Sequence, residues 1–191
     1  MKKAYIFLAD GFEEIEALAT VDILRRAGIE ATTVTISPSM QVKGAHGVEV
    51  TADEAIDNIE VDIKDWLILP GGMPGATNLA ACEKLCEMLQ AHNENGGHIA
   101  AICASPAVVL APLGIIEGKE ATCYPGFEGA LKNCQIAYRP VAVDSNVITA
   151  NGPGNTIAFA LAIVANALSE EKAREIAEGL LVYTPQQDYS F

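Results

Sequence analysis

His98-Ile-Ala-Ala-Ile-Cys103-Ala-Ser-Pro106 is the stretch that indicates both the fold and the reactive group of this chain. A short apolar strand runs directly into Cys103, and Ala-Ser-Pro then opens a helix. Such a turn displays a thiol at the carboxyl edge of a sheet and directs helix-terminal amides at its sulfur, which favours the thiolate. Cys103 is therefore the candidate reactive group. The alternative is a buried cysteine that packs as a small hydrophobic side chain.

The composition narrows the class of protein. With 191 residues, 50% of them hydrophobic, the chain can bury a core without disulfides or metal, and we predict a single domain over residues 1–191. Its net charge of -13 disfavours nucleic acid and anionic membrane surfaces as partners. The first ten residues leave no room for a signal-peptide core, and no apolar run reaches membrane-spanning length, so we expect a cytoplasmic protein.

The cysteines argue against both disulfides and metal. Five cysteines, an odd number, make a disulfide framework improbable. Cys82 and Cys86 lie four apart within a helical pattern, but no second pair of cysteines or histidines at ligand spacing accompanies them. We therefore expect structural packing at this pair and no metal site.

Short apolar runs alternate with amphipathic stretches, which is typical of an α/β domain with a mostly parallel sheet. Strands are predicted at residues 4–8, 31–36, 66–69, 98–102, 140–143 and 147–150, with a short edge hairpin at 47–51. Helices are predicted at 13–27, 78–92 and 104–110, from the end of segment 151–156 to residue 168, and at 170–181. Ligands of such sheets bind outside the carboxyl ends of the strands, so we expect the functional residues in the turns that follow strands.

The helix after the first strand carries a carboxylate on its apolar face. On a helical wheel Glu16 falls on the face that must pack against the sheet, whereas Glu14 is predicted to point outward. Burial of a carboxylate is costly and raises its pKa, which makes Glu16 a functional candidate. Asp10 and Glu13, by contrast, are suited to capping this helix.

The turn after the third strand, residues 70–75, offers backbone amides unobstructed by side chains. Gly71 and Gly72 would let a ligand or a developing oxyanion approach the main chain, although a simple tight turn is the alternative. These glycines, Glu16 and Cys103 should meet at one sheet edge. A protonated Glu16 could then donate a hydrogen bond to the sulfur and favour the thiolate.

At these residues the chain resembles the ThiJ/PfpI superfamily, and within it the parkinsonism-associated protein deglycase branch. The shared motifs, in matching order and spacing, are Gly11-Phe-Glu-Glu-Ile-Glu16, Leu69-Pro-Gly-Gly72, Ala100-Ala-Ile-Cys-Ala104 and Gly152-Pro-Gly154. The resemblance implies a flavodoxin-like three-layer sandwich, a homodimer, and a nucleophile-elbow Cys103 paired with protonated Glu16. It also implies glyoxalase activity without a cofactor, deglycation, and redox sensing or chaperone-like protection.

One departure from the family pattern concerns a histidine. Many members carry a histidine near the cysteine, shortly after the elbow helix, and the matching position here is Tyr124. His92 is expected at the surface, and His98 lies several residues before the elbow. His46 falls in the segment where relatives place a basic residue that reaches the partner subunit's site. Without a histidine base, a cysteine-protease mechanism is disfavoured.

The leading hypothesis is an enzyme acting on 2-oxoaldehydes such as methylglyoxal, or on their adducts. Cys103 would attack the aldehyde, the amides of Gly72 and Ala104 would hold the oxyanion, Glu16 would shuttle a proton, and Tyr124 could orient the carbonyl. A different class is a non-catalytic redox sensor or stress-protective dimer in which Cys103 is oxidised to the sulfinate. A third is an inactive paralogue that serves as a binding module.

Overall fold

The computed structural model describes residues 2–182, which form eleven strands and five α-helices. The strands are β1 Lys3–Leu8, β2 Glu30–Thr35, β3 Gln41–Lys43, β4 Glu49–Thr51, β5 Glu54–Ala55, β6 Trp66–Leu69, β7 His98–Ile102, β8 Glu120–Ala121, β9 Gln135–Ile136, β10 Val141–Asp144 and β11 Val147–Ala150. The α-helices are α1 Glu14–Arg26, α2 Gly75–Ala80, α3 Glu83–Glu94, α4 Thr156–Ala167 and α5 Glu170–Gly179. A π-helical turn covers Pro106–Leu110, and 3-10 turns cover Glu128–Ala130 and Pro153–Asn155.

The central sheet has seven strands in the order β10-β11-β7-β6-β1-β2-β5. All neighbouring pairs are parallel except β10 and β11, which form an antiparallel edge. The pairs β3-β4 and β8-β9 form two small separate sheets. The predicted α/β sandwich with a mostly parallel sheet is confirmed.

The sheet is buried on both faces, which explains its apolar strands. In β7, Ala100 and Ile102 face a core built with α1, α4 and α5, whereas Ile99 and Ala101 face a second core built with α2, α3 and the π-helical turn. Period-two alternation along each strand thus supplies two hydrophobic cores, one on each side. The carboxyl ends of β1, β6 and β7 meet between these layers and position the site.

The helix predicted at 78–92 is interrupted. Cys82 is extended (φ -83°, ψ 97°) and acts as the N-cap of α3, so α2 and α3 are separate helices. Cys82 and Cys86 are both free and half-buried, and the Cys86 thiol donates to the carbonyl of Ala80 at 3.3 Å. Cys82 packs against the core between the sheet and α3, as predicted for this pair, and all five cysteines are free.

Two other local predictions needed correction. The hairpin spans β3 and β4 and is separate from the main sheet, because its strands pair only with each other. The helix after Cys103 is a π-helical turn, in which the N–H of Ala111 donates to the carbonyl of Pro106. The very short strands β5, β8 and β9 were not predicted.

Within the described part of the chain, no helix is long and apolar enough to cross a membrane.

Candidate active site

Cys103 occupies a strained turn between β7 and the π-helical turn. Its φ of 65° lies in the left-handed region that side chains other than glycine rarely adopt. Two backbone hydrogen bonds hold it there: its N–H donates to Ala150 at 2.9 Å, and its carbonyl accepts from Tyr124 at 2.7 Å. The residue is only 9% exposed and lines a cavity of about 460 Å³. Strain that the surroundings enforce at a cavity wall is typical of nucleophile elbows.

Glu16 is 1% exposed, as the helical wheel predicts. Its Oε2 accepts the Gly71 N–H at 2.7 Å, whereas Oε1 is buried without a hydrogen-bond partner among residues 2–182. The carboxyl group also hydrogen-bonds with the Cys103 thiol. Burial raises the pKa of this carboxyl to about 7, despite the opposing effect of the two hydrogen bonds. The group can therefore gain or lose a proton near neutral pH.

The thiol of Cys103 depends on the charge of Glu16. Burial, followed by the charge and hydrogen bonding of an ionised Glu16, raises the thiol pKa to about 12. The N–H groups of Gly72 and Ala104 hydrogen-bond to the sulfur and act in the opposite direction. The expected low thiol pKa therefore does not hold while Glu16 is ionised. A protonated Glu16 would instead donate to the sulfur, so the pair accommodates one negative charge in two arrangements.

The glycine turn performs two different tasks. The amide of Gly71 is committed to Glu16 and is not open to substrate, which corrects its predicted role. Only glycine fits there, because a Cβ would lie 2.6 Å from the Cys103 Cβ and 2.9 Å from Glu16 Oε2. Gly72 has a φ of +87°, which turns its N–H toward the sulfur. The amides that can hold an oxyanion therefore belong to Gly72 and Ala104.

Ser105 anchors the elbow to the glycine turn, a role that sequence reasoning missed. Its buried hydroxyl donates to the carbonyl of Pro70 at 2.6 Å. The residues that follow form only a five-residue π-helical turn, so the aligned dipole of a long helix is not available to the thiol. Adjacent amides replace it as the source of positive potential.

Glu14 was predicted to point outward, but it is buried and holds the segment around His46. Its Oε1 accepts the His46 N–H at 2.7 Å and the Val48 N–H at 3.4 Å, and its Oε2 lies 2.9 Å from His46 Nδ1. Burial alone would raise the pKa of Glu14, but these hydrogen bonds hold that pKa below its usual value. Glu14 therefore positions one wall of the cavity.

His46 lines the same cavity as Cys103. Its side chain is 71% exposed, and its pKa is raised first by the hydrogen bond with Glu14 and then by the charge of Glu13. Because Nδ1 is engaged by Glu14, His46 belongs to the mouth of the site and is not placed as a base for the thiol.

The capping roles predicted for Asp10 and Glu13 were wrong. Asp10 Oδ1 accepts the Lys43 N–H at 2.9 Å, and no side chain caps α1. The carboxylate of Glu13 instead lines the cavity, while its N–H donates to the carbonyl of Gly71. The chain turns into α1 close against the glycine turn, which directs both side chains elsewhere.

Tyr124 forms the opposite wall. It is 44% exposed, and its ring meets that of Phe127 edge to face, with centroids 6.4 Å apart. Ile15, Met73 and Pro153 complete the apolar lining, which the sequence did not suggest. The Cys103 sulfur, a titratable carboxyl, two backbone amides directed at the sulfur and an aromatic wall thus surround one cavity.

Comparison with known proteins places this arrangement in a family. The sequence model of the DJ-1/PfpI family matches residues 2–166. The chain belongs to the DJ-1/PfpI family. Protein DJ-1 homolog B of Arabidopsis thaliana is 37% identical over 96% of the chain, which spans only 42% of that plant protein's length. The glutathione-independent glyoxalase DJR-1.2 of Caenorhabditis elegans is 35% identical, over 94% of this chain and 96% of its own. The solved structure of oxidized Toxoplasma gondii DJ-1 has a TM-score of 0.90 at 37% identity, covering 94% of this chain and 97% of its own.

The other two histidines of this DJ-1/PfpI chain are remote from the thiol. His92 was expected at the surface but is only 6% exposed, and its Nε2–H donates to the carbonyl of Asp65 at 3.0 Å. Gly97 packs directly over the imidazole, which explains the burial. The ring of His98 stacks on Trp66 at 4.6 Å.

One group of side chains has the composition of a metal site. Ligand atoms of Glu13, Glu14 and His46 lie within 4.8 Å of one another. The two carboxylates stand at the amino end of α1, however, where the helix dipole favours anions over cations. The hydrogen bonds of Glu14 to residues 46 and 48 already account for its burial, so the geometry gives no independent reason for a metal.

Proposed function

We propose that the protein is a cofactor-independent enzyme of glyoxalase or deglycase type, which acts on 2-oxoaldehydes such as methylglyoxal or on their adducts. The observation that carries this proposal is the buried pair of Glu16 and Cys103, with the amides of Gly72 and Ala104 directed at the same sulfur. A relative that is 35% identical and named a glutathione-independent glyoxalase supports it.

The first step forms a hemithioacetal. Ionised Glu16 takes the thiol proton of Cys103, and the resulting thiolate adds to the aldehyde carbon. The electrons of the C=O bond move to oxygen, where the amides of Gly72 and Ala104 stabilise the negative charge. Glu16 then returns the proton to that oxygen.

The second step moves a hydrogen between adjacent carbons. Glu16 removes the proton from the former aldehyde carbon, and the C–H electrons form a C=C bond while the neighbouring carbonyl becomes an enediolate oxygen. The hydroxyl proton of the former aldehyde carbon passes to that enediolate oxygen, which regenerates a C=O bond beside the sulfur, and Glu16 delivers its proton to the neighbouring carbon. The product is a 2-hydroxyacyl thioester on Cys103. Water hydrolyses the thioester and releases a 2-hydroxy acid and the free thiol. A carboxyl whose pKa is about 7 is suited to both halves of this transfer.

Tyr124 is proposed to orient the substrate carbonyl through its hydroxyl group. A phenol is a poorer proton carrier than imidazole at neutral pH, so Glu16 is given both proton transfers. The mechanism needs no histidine at the position of Tyr124.

The test measures conversion of methylglyoxal to lactate by NMR with the purified protein. Cys103→Ser should abolish turnover, and Glu16→Gln should reduce it by about 10²–10⁴-fold with the fold retained. Cys123→Ser is the matched control, because Cys123 is buried outside this cavity. Turnover by Cys103→Ser equal to that of the wild type would overturn the proposal, as would peptide hydrolysis in place of aldehyde turnover.

A redox sensor or stress-protective role is the second candidate. The structural relative from Toxoplasma gondii is described as oxidized, and the unpartnered Oε1 of Glu16 could donate to an oxygen of a Cys103 sulfinate when protonated. Peroxide would supply the oxygen atoms. Mass addition of two oxygens confined to Cys103, without any aldehyde turnover, would favour this role over the enzyme.

We further propose that the chain works as a single-domain homodimer in the cytoplasm. Apolar side chains of Ile15 and Leu18 on α1 and of Ile157 on α4 are exposed, and these helices pack against each other. Light scattering should give twice the 20.1 kDa chain mass, whereas the single-chain mass would contradict the dimer.

A further inference from the structure

We propose that Ser105 is a positioning residue for Glu16, the group that carries both protons in the proposed function. Its hydroxyl fixes the peptide between Pro70 and Gly71, and that peptide holds the carboxyl beside the reactive sulfur. The effect on turnover rests on the proposed function, whereas the effect on Glu16 does not. All of these residues are buried within one chain, so their contacts do not depend on a partner subunit.

The peptide between Pro70 and Gly71 is held from two sides. Its carbonyl, from Pro70, accepts the Ser105 hydroxyl at 2.6 Å. Its N–H, from Gly71, donates to Glu16 Oε2 at 2.7 Å. The peptide is trans, so its C=O and N–H groups lie in one plane and point in opposite directions. The bond from the serine hydroxyl therefore orients the donor that the carboxyl uses.

The Ser105 hydroxyl is not used as its position in the sequence would suggest. A serine at the start of a helix commonly caps that helix by accepting a backbone N–H. Ser105 stands directly before the π-helical turn, yet its side chain makes no capping hydrogen bond there. It is 0% exposed, and its hydroxyl instead reaches a carbonyl 35 residues earlier in the chain. The hydroxyl thus serves the glycine turn and not its own helical turn.

The peptide before Gly71 needs such a restraint. A side chain at position 71 would collide with the elbow, so the site requires glycine. Without a Cβ, the peptides on either side of a glycine rotate with little steric resistance. The peptide between Gly71 and Gly72 is fixed by the N–H of Glu13, which donates to the Gly71 carbonyl at 3.0 Å. Ser105 supplies the corresponding bond for the peptide before it.

The restraint acts on the charge of Glu16 as well as on its place. The hydrogen bond from Gly71 favours the ionised carboxyl and opposes burial, which raises the pKa of Glu16 to about 7. A hydroxyl that donates to the carbonyl of the same peptide polarises the N–H and strengthens its bond to the carboxylate. The other titratable groups that face Glu16 are the Cys103 thiol and the Glu13 carboxyl. Both remain when the Ser105 hydroxyl is removed.

Ser105→Ala should move the titration of Glu16 to higher pH. If the freed peptide turns and the Gly71 hydrogen bond is lost, the midpoint should rise by about 1–2 pH units. If the peptide stays in place, the loss of polarisation alone should raise the midpoint by about 0.1–0.7 pH unit. We expect the larger rise, because glycine leaves the peptide free to turn.

The first measurement needs no turnover. NMR of the protein with carbon-13 at the glutamate carboxyl carbons follows each carboxyl, and the Glu16 resonance is the one absent from Glu16→Gln. Its midpoint should rise in Ser105→Ala and stay near the wild-type value in Ser105→Thr, which keeps the hydroxyl. Thr35→Val is the matched control, because it removes a fully buried hydroxyl that bonds Ser37 and lies outside the cavity lining. Thermal unfolding checks the fold of each variant.

The second measurement is kcat/KM for methylglyoxal as a function of pH. Ser105→Ala should lose about five- to fiftyfold at pH 7 and recover as the pH rises, because a smaller fraction of Glu16 is ionised at neutral pH. An unchanged Glu16 midpoint in folded Ser105→Ala would overturn the positioning role, as would an equal rise in Thr35→Val. A raised midpoint with no turnover by the wild type would instead overturn the proposed function.

Discussion

Replacing Glu16 by glutamine should remove a pH dependence from the stability of the protein. Burial raises the pKa of Glu16 from 4.5 to about 7, so the folded state keeps a proton that the unfolded chain releases. This proton contributes stability that is fully present below pH 4.5 and is lost as the pH rises through 7. At about 1.4 kcal/mol for each pH unit between the two pKa values, the contribution is roughly 3 kcal/mol.

The glutamine variant cannot ionise, but its side-chain oxygen can still accept the Gly71 N–H. Its free energy of unfolding, relative to that of the wild type, should therefore rise by up to about 3 kcal/mol between pH 4.5 and pH 8. For a domain of this size, such a difference in unfolding free energy corresponds to a shift in Tm on the order of 6–12 °C.

Urea unfolding followed by the fluorescence of the single tryptophan, Trp66, measures this difference under reducing conditions. Glu171→Gln on α5 is the control, because it removes one carboxylate without touching the site. Parallel stability curves for the wild type and Glu16→Gln across this pH range would refute the assignment of a raised pKa to Glu16.

Three further outcomes are expected. Below pH 7, where protonated Glu16 can donate to the sulfur and the amides of Gly72 and Ala104 face it, iodoacetamide should alkylate Cys103 faster than the other four cysteines. Mass spectrometry that found Cys82 or Cys123 modified first would contradict this. Tyr124→Phe should lower kcat/KM by about two- to twelvefold if the hydroxyl only orients substrate, whereas a thousandfold loss would assign acid–base chemistry to Tyr124. Tyr124→His should raise turnover or leave it unchanged. Glu14→Ala should lower the pKa of His46 in an NMR titration, because the carboxylate that bonds the imidazole is removed. It should also cost about 1–3 kcal/mol in stability, because it leaves backbone N–H groups of the 46–48 segment unpaired. An unchanged His46 titration would show that Glu14 does not hold the imidazole.

Local periodicity was sufficient to predict the fold and the two central residues of the site. The alternation of apolar runs with amphipathic stretches defined a mostly parallel sheet, and the position of Cys103 directly after a buried strand put it at the sheet edge. Glu16 was found because a helix buries residues three and four apart, and only this carboxylate fell on the apolar stripe. Such signals depend on near neighbours in the chain.

The roles of Glu14, Gly71 and His92 were decided by tertiary contacts. Glu14 bonds a segment 32 residues away, and Gly71 donates to a carboxylate 55 residues away. No local pattern predicts such pairings, because the sequence around a side chain on the polar face of a helix is the same whether water or another loop covers that side chain. For the same reason His92 was wrongly predicted to lie at the surface.

The charge state of the thiol also required the folded structure. The sequence indicated that amides at a helix start would favour the thiolate, but burial and the nearby Glu16 carboxylate oppose it. A pKa depends on the balance of desolvation, charges and hydrogen bonds within a few ångströms. The sequence by itself identified the cysteine and the carboxyl that meet at the candidate site, and only the tertiary structure decided how their protons and the neighbouring amides are engaged.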